Sequence, residues 1–203
     1  MTTSDPIQST ETPNLPQPGP LSWLRFSLFW MVACGLAYPL VTTLTAGTLF
    51  PAQANGSLIS QNGKVVGSAL VGQTFSGDQY FIGRPSAAGA GYDPVNASGS
   101  NLAPSNPALH GRVAATSAAI AAREGVPASQ IPVDLVTASG GGLDPHISPA
   151  GAAIQVARVA RVRGLPANRV RELIAANTQN SVLGLGQPGV NVLRLNLALD
   201  AGQ

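Results

Sequence analysis

Phe26 to Phe50 is a run of 25 residues without a charge. As a helix it is roughly 37 Å long at about 1.5 Å per residue, against a bilayer hydrocarbon core of about 30 Å, so it spans with some tilt. Trp23 and Phe26 at one end and Phe50 at the other are suited to the two membrane interfaces. Pro39 falls inside the run and predicts a kink. A carbonyl freed by that proline has no water to turn to in lipid, which points to neighbouring helices. Ala33, Gly35 and Ala37 form a small-residue stripe that permits close helix contact. Two other readings compete with a permanent span. Ala52-Gln53-Ala54 has the A-x-A form of a signal cleavage site, but a signal's apolar run is only about 7–15 residues. A lipoprotein signal ending at Cys34 would leave Gly35 to Leu44 as an apolar start to a mature chain.

The residues before the run are rich in Thr, Pro, Gln and Ser, too polar to bury a core. The organisation expected is a disordered cytoplasmic tail over 1–22, a transmembrane helix over 23–50 and an extracytoplasmic domain over 51–203. Arg25 flanks the start of the run and Lys64 is the next cation, so the positive-inside bias sets the N-terminus in the cytoplasm. Charged residues are 10% of the chain, against a globular norm of about 25%. Mean hydropathy is +0.18, consistent with a membrane segment. The net charge of +2 gives no ground for nucleic-acid binding. With one cysteine, Cys34, no internal disulfide forms.

The domain reads as mixed α+β. Leu58-Ile59-Ser60 and Lys64-Val65-Val66 flank Gln61-Asn62-Gly63, a hairpin signal whose second strand runs on to Gly72. Residues 83–107 mix Gly, Pro, Ser and Asn, a loop long enough to dock on something or to be a mobile surface loop. Asn106-Pro107 caps a helix that carries Leu109, Val113, Thr116 and Ile120 and ends at Gly125. Val133 to Ala138 reads as a short buried strand. Ser148-Pro149 starts a second helix that stops at Gly164. Val170, Leu173 and Ile174 mark a third, ending near Asn177. Leu193, Leu195, Leu197 and Leu199 alternate with less apolar residues, the period of a half-buried strand.

Catalytic signatures are weak. The only lysine, Lys64, follows Gly63 but precedes Val65, so no phosphate loop is present. Ser139-Gly140-Gly141-Gly142 offers backbone amides to an anion or is simply a tight turn. Ser139, Asp144 and His146 invite a serine-hydrolase reading, but no G-x-S-x-G elbow accompanies them. His110 and His146 are too few for a metal site. Arg158, Arg161, Arg163, Arg169 and Arg171 cluster over two predicted helices, by default a solvated face, alternatively a partner-facing patch. One helix cannot enclose an ion path, and neither a T-V-G-Y-G filter nor a D-K-T-G phosphorylation motif occurs. A membrane-tethered anion-binding module remains an alternative.

Six blocks in order carry a resemblance. They are Gln53 to Ile59, Val71 to Phe75, Tyr80 to Ala87, Ser98 to Leu102, Asp134 to Pro149, and Gly186 to Pro188 followed by Val190 to Val192 and Leu195 to Asp200. From about Tyr38 to Asp200 the chain resembles the C subunits of potassium-transporting ATPases, the KdpC family. Gly141 stands where that family has a serine. The resemblance implies an accessory subunit of a high-affinity potassium uptake complex in the inner membrane, without catalytic residues of its own. The implied partners are a channel-like potassium-translocating subunit, a P-type subunit that hydrolyses ATP, a small single-span subunit and membrane lipid. It also implies a role in assembly and activity, described as a catalytic chaperone that raises the pump subunit's ATP affinity. ATP is then the one cofactor in question, reached through the complex. An outer cap on the channel-like subunit is a further expectation. The residues expected at partner interfaces are Pro39, Arg84, Pro85, Tyr92, Ser100, Asn101, Ser139, Asp144 and His146.

Overall fold

The computed structural model describes residues 18–180 and 186–202. The disorder expected of the N-terminal tail falls mostly on residues 1–17, which lie outside them. Contacts divide the chain into two units, Met1–Ala54 and Asn55–Gln203.

The described part of the first unit is helical: α1 (Pro20–Val32), a π turn (Ala33–Ala37), α2 (Tyr38–Leu49) and a short α3 (Pro51–Ala54). The stretch Pro20–Leu49 is long and apolar enough to cross a membrane, and none of its most apolar window is buried within the chain. The π turn sits immediately before Pro39. The Tyr38 amide reaches back five residues to the Ala33 carbonyl, so the proline's missing N–H is absorbed without ending the helix. Thr42 Oγ1 donates to the Tyr38 carbonyl at 2.9 Å, satisfying a backbone group next to the irregularity.

The second unit opens with a hairpin, β1 (Leu58–Gln61) and β2 (Lys64–Ser68). Asn62 and Gly63 have φ of 51° and 76°, the positive values a type I′ turn requires. β2 ends at Ser68, short of the expected Gly72. Helix α4 (Pro107–Glu124) is capped as expected. The Asn106 side chain accepts from the Ala108 amide, and Gly125 takes the left-handed conformation at φ 69°. The next helix starts at the Ser148 cap and stops at Gly164, but it breaks at Ile154–Gln155 into α5 (Pro149–Ala153) and α6 (Val156–Arg163). β3 (His146–Ile147), which precedes α5, joins β4 (Thr178–Gln179) and β5 (Gly189–Asn191), which follow α7 (Ala167–Ala176), in a small antiparallel sheet of order β3-β5-β4, and α8 (Val192–Ala201) is the last helix.

Two expected strands are helical. Residues 193–199 belong to α8. Their leucine alternation coexists with Val192, Leu195, Asn196 and Leu199 at helical spacing, and those four are buried together with Leu193. Asn191 fixes the choice, because its side chain accepts the Arg194 amide as an N-cap. Val133–Leu135 is a turn of 3-10 helix, with Val133 itself 72% exposed. Asp134 points its carboxylate at the Ser148 amide and hydroxyl, at 2.7 and 2.9 Å, an arrangement a buried strand would not need.

The core lies where α6, α7 and α8 meet the small sheet, with Val159, Val170, Val190, Leu195 and Leu199 wholly buried. Each such side chain stabilises the fold by roughly 1.5–3 kcal/mol. Phe81 enters this core from a segment without regular structure. The backbone of 78–82 therefore needs other partners. Asn196 accepts from the Phe81 amide and donates to its carbonyl, at 2.8 and 2.9 Å. Gln155 does the same for Ile82, at 2.9 and 3.1 Å. Arg158 donates to the carbonyls of Asp78 and Tyr80.

Two of the five clustered arginines are thus internal, against the solvated face expected of them. Arg158 is 3% exposed, and its Nε donates to both carboxylate oxygens of Glu124, at 2.9 and 3.1 Å. Arg163 pairs with Asp200 at 2.7 Å and lies over the Tyr80 ring. Charge on a helix face predicts solvent only if no buried carboxylate or carbonyl waits opposite. Arg161, Arg169 and Arg171 do face outward.

Candidate functional site

Three loop segments far apart in sequence, 83–93, 98–101 and 139–146, meet at one glycine-lined junction. Ser86 Oγ donates to the Gly142 carbonyl at 2.7 Å and accepts from the amides of Ala88 and Tyr92. A Cβ on Gly142 would lie 2.6 Å from the Ser98 carbonyl oxygen, and one on Gly99 would strike that of Gly140. Gly142 also has φ 72°. Only glycine allows the segments to approach this closely. Residues 83–93 are accordingly docked on their own domain, with Ala88 fully buried.

Tyr92 is the hub of this docking. Its φ is 55°, unusual for a bulky side chain. A Cβ at Gly72 would run into the Tyr92 ring, and one at Gly83 would lie 2.6 Å from its hydroxyl. That hydroxyl donates to the Arg84 carbonyl at 2.6 Å. Burial pushes the phenol up to about 12, with the nearby Asp144 charge adding and Arg84 opposing.

Arg84, Asp144 and His146 form a chain of contacts beside it. Arg84 Nη1 pairs with Asp144 Oδ2 at 2.9 Å, and Nη2 donates to the Thr137 carbonyl at 3.4 Å. The His146 amide donates to Asp144 Oδ1 at 3.0 Å, and its Nδ1 lies 3.5 Å from the same oxygen. The His146 ring, then its amide and the Arg84 guanidinium, hold the Asp144 carboxyl down at about 2 against the opposing effect of burial.

Ser139 Oγ accepts from the Asp144 amide at 3.4 Å, and His146 Nε2 is buried without a partner among the described residues. A hydrolytic triad needs the histidine between serine and carboxylate. Here the carboxylate holds the histidine, and no bond joins serine to histidine among the described residues.

Of the other residues singled out from sequence, Pro85 lies in the same loop. Ser100 accepts from Arg112 at 3.3 Å, Asn101 is exposed with φ 47°, and Pro39 belongs to the membrane unit. The junction also walls a cleft of about 400 Å³. It is lined by Thr74, Phe75, Arg84, Tyr92, Ile120 and Arg123, among others. Sequence reading missed Arg123 and Thr116. The signal was present, since Thr116, Ile120 and Arg123 follow helical spacing on α4, but nothing local shows that this face borders a cavity rather than solid core.

Comparison with known proteins agrees with this architecture. A family model described as "K+-transporting ATPase, c chain" matches residues 21–201. The chain is 54% identical over 178 residues to the potassium-transporting ATPase KdpC subunit of Xanthomonas oryzae pv. oryzae, covering 87% of this chain and 84% of that one. It is 54% identical over 183 residues to that of Rhodopseudomonas palustris, covering 84% and 90%. It is 57% identical over 169 residues to that of Gemmatimonas aurantiaca, covering 82% and 84%. The membrane-length helix, the α+β domain and the glycine junction built from four of the six resembling blocks thus belong to a chain of the KdpC family, the C subunits of potassium-transporting ATPases.

Proposed function

We propose that this chain is the accessory subunit of an ATP-driven potassium uptake complex, needed for its assembly and activity. The helix anchors it in the inner membrane beside the channel-like subunit. The N-terminus lies in the cytoplasm, and the domain covers the outer mouth of that subunit. The observation that carries this reading is a helix from Pro20 to Leu49 that buries none of its residues within its own chain. An apolar helix surface left exposed among the described residues, interrupted by a π turn and Pro39, suits packing against other helices. Any influence on the P-type subunit's affinity for ATP then runs through helix packing, as a bias between two pump states, rather than by contact with nucleotide.

The exposed tip Pro94–Ser98, with Val95 88% exposed, is the part of the long loop left free to meet the channel-like subunit. Replacing Pro94–Ser98 by the same number of Gly and Ser residues should leave a complex that assembles but has an altered apparent potassium affinity. Unchanged transport kinetics would count against the cap. Orientation is read separately. With Cys34→Ser as background, Lys64→Cys should react with a membrane-impermeant maleimide added to intact spheroplasts. Labelling only after lysis would reverse the topology.

A further inference from the structure

The cleft between α4 and the Arg84–Tyr92 loop carries a charge that the docking of that loop does not use. Glu124 is shared by two cations: Arg158 Nε donates to both of its carboxylate oxygens, at 2.9 and 3.1 Å, and Arg123 Nε donates to it at 2.7 Å. One positive charge is left over. Arg123 spends only Nε on that bond, and its two terminal nitrogens meet no protein acceptor among the described residues. Arg123 lines the cleft together with the hydroxyl-bearing Thr116 and Thr74, over an apolar floor of Phe75, Ile120 and Leu135. Arg84, which also lines the cleft, is already neutralised by Asp144 at 2.9 Å, although its buried Nε has no partner among the described residues.

We propose that this cleft binds a single carboxylate carried on an apolar or aromatic group. The planar guanidinium fork matches a carboxylate, and one surplus charge suits a monoanion, whereas a dianion would also confront Asp144 and Glu124. A volume of about 400 Å³ lies within the range of about 300–1,000 Å³ typical of small-ligand sites. The apolar floor takes the stem while the threonine hydroxyls and Arg123 take the head. Two sources supply this chemistry: an acidic side chain beside an apolar residue on a partner subunit, or a free organic acid.

The test uses the detergent-solubilised full chain, with benzoate as probe and benzamide as its uncharged match, read by thermal unfolding. Benzoate raises the midpoint saturably and benzamide does not. Arg123→Gln weakens benzoate at least tenfold, with Glu124 still held by Arg158. Thr116→Val, which breaks no ion pair, weakens it about threefold. An equal response to benzamide overturns the proposal. So does undiminished benzoate affinity in Arg123→Gln or, should that variant not fold, in Thr116→Val. Repeating the titration on the assembled complex names the source. Loss of the benzoate response shows the cleft filled by a partner's carboxylate, and its persistence shows a cleft open to free acids.

Discussion

Residues 78–93 and residues 94–106 both lack regular secondary structure and both carry several glycine, proline, alanine and serine residues, the first adding Tyr80, Phe81, Ile82 and Tyr92. They nevertheless have opposite environments. The first segment delivers Phe81 and Ala88 to full burial, with its backbone bonded by Asn196, Gln155 and Arg158. The second lies mostly in the open, touching the domain chiefly at Ser98, Gly99 and Ser100. An irregular stretch is therefore not a flexible one by composition. It is held where side chains from elsewhere satisfy its amides and carbonyls, and loose where water does.

This contrast is open to direct attack. The largest effect is expected at Arg158→Met. It removes the bonds to Asp78 and Tyr80 and leaves Glu124 buried with only Arg123. A loss of about 3–5 kcal/mol in denaturant unfolding of the purified chain is predicted. If the loss is under 1 kcal/mol, the 78–82 segment is not held by this network. Gly142→Ala comes next. A methyl there meets Ser98 and Ala88 at a positive φ, so about 2–3 kcal/mol should be lost. Protection of the Ala88 and Tyr92 amides from hydrogen exchange should fall with it.

Acid should act on the same junction. The Asp144 carboxyl is held at about 2 in the fold, below its ordinary 3.8. Its contribution is thus complete above about pH 4 and disappears as pH falls towards 2. About 1–2 kcal/mol is at stake once partial exposure is allowed for. Asp144→Asn should flatten stability over that window, and an unaltered slope would remove Asp144 from the account. The smallest effect is predicted at Val95→Ser on the exposed tip, within about 0.5 kcal/mol of the parent in the same assay. A larger loss there would mean that the second segment is as firmly held as the first.

The sequence by itself settled features whose causes lie within a few residues. Twenty-five uncharged residues define a membrane-length helix, Asn62-Gly63 bends a hairpin, and Asn106-Pro107, Ser148-Pro149, Gly125 and Gly164 start and stop helices. Each rests on local sterics or on a cap within one turn. Tertiary structure decided what depends on a partner distant in the chain. The leucines of 193–199 fit either period until the core selects the face carrying Val192, Leu195, Asn196 and Leu199. Arg158 reads as a surface charge until Glu124, 34 positions away, lies opposite it. The cleft beside Arg123 has walls from four separate segments, so no window of sequence contains it. Local rules fix where the backbone turns. The burial of a charge or the opening of a cavity is set by which segments meet, because desolvation and pairing belong to the assembled surroundings rather than to the residue.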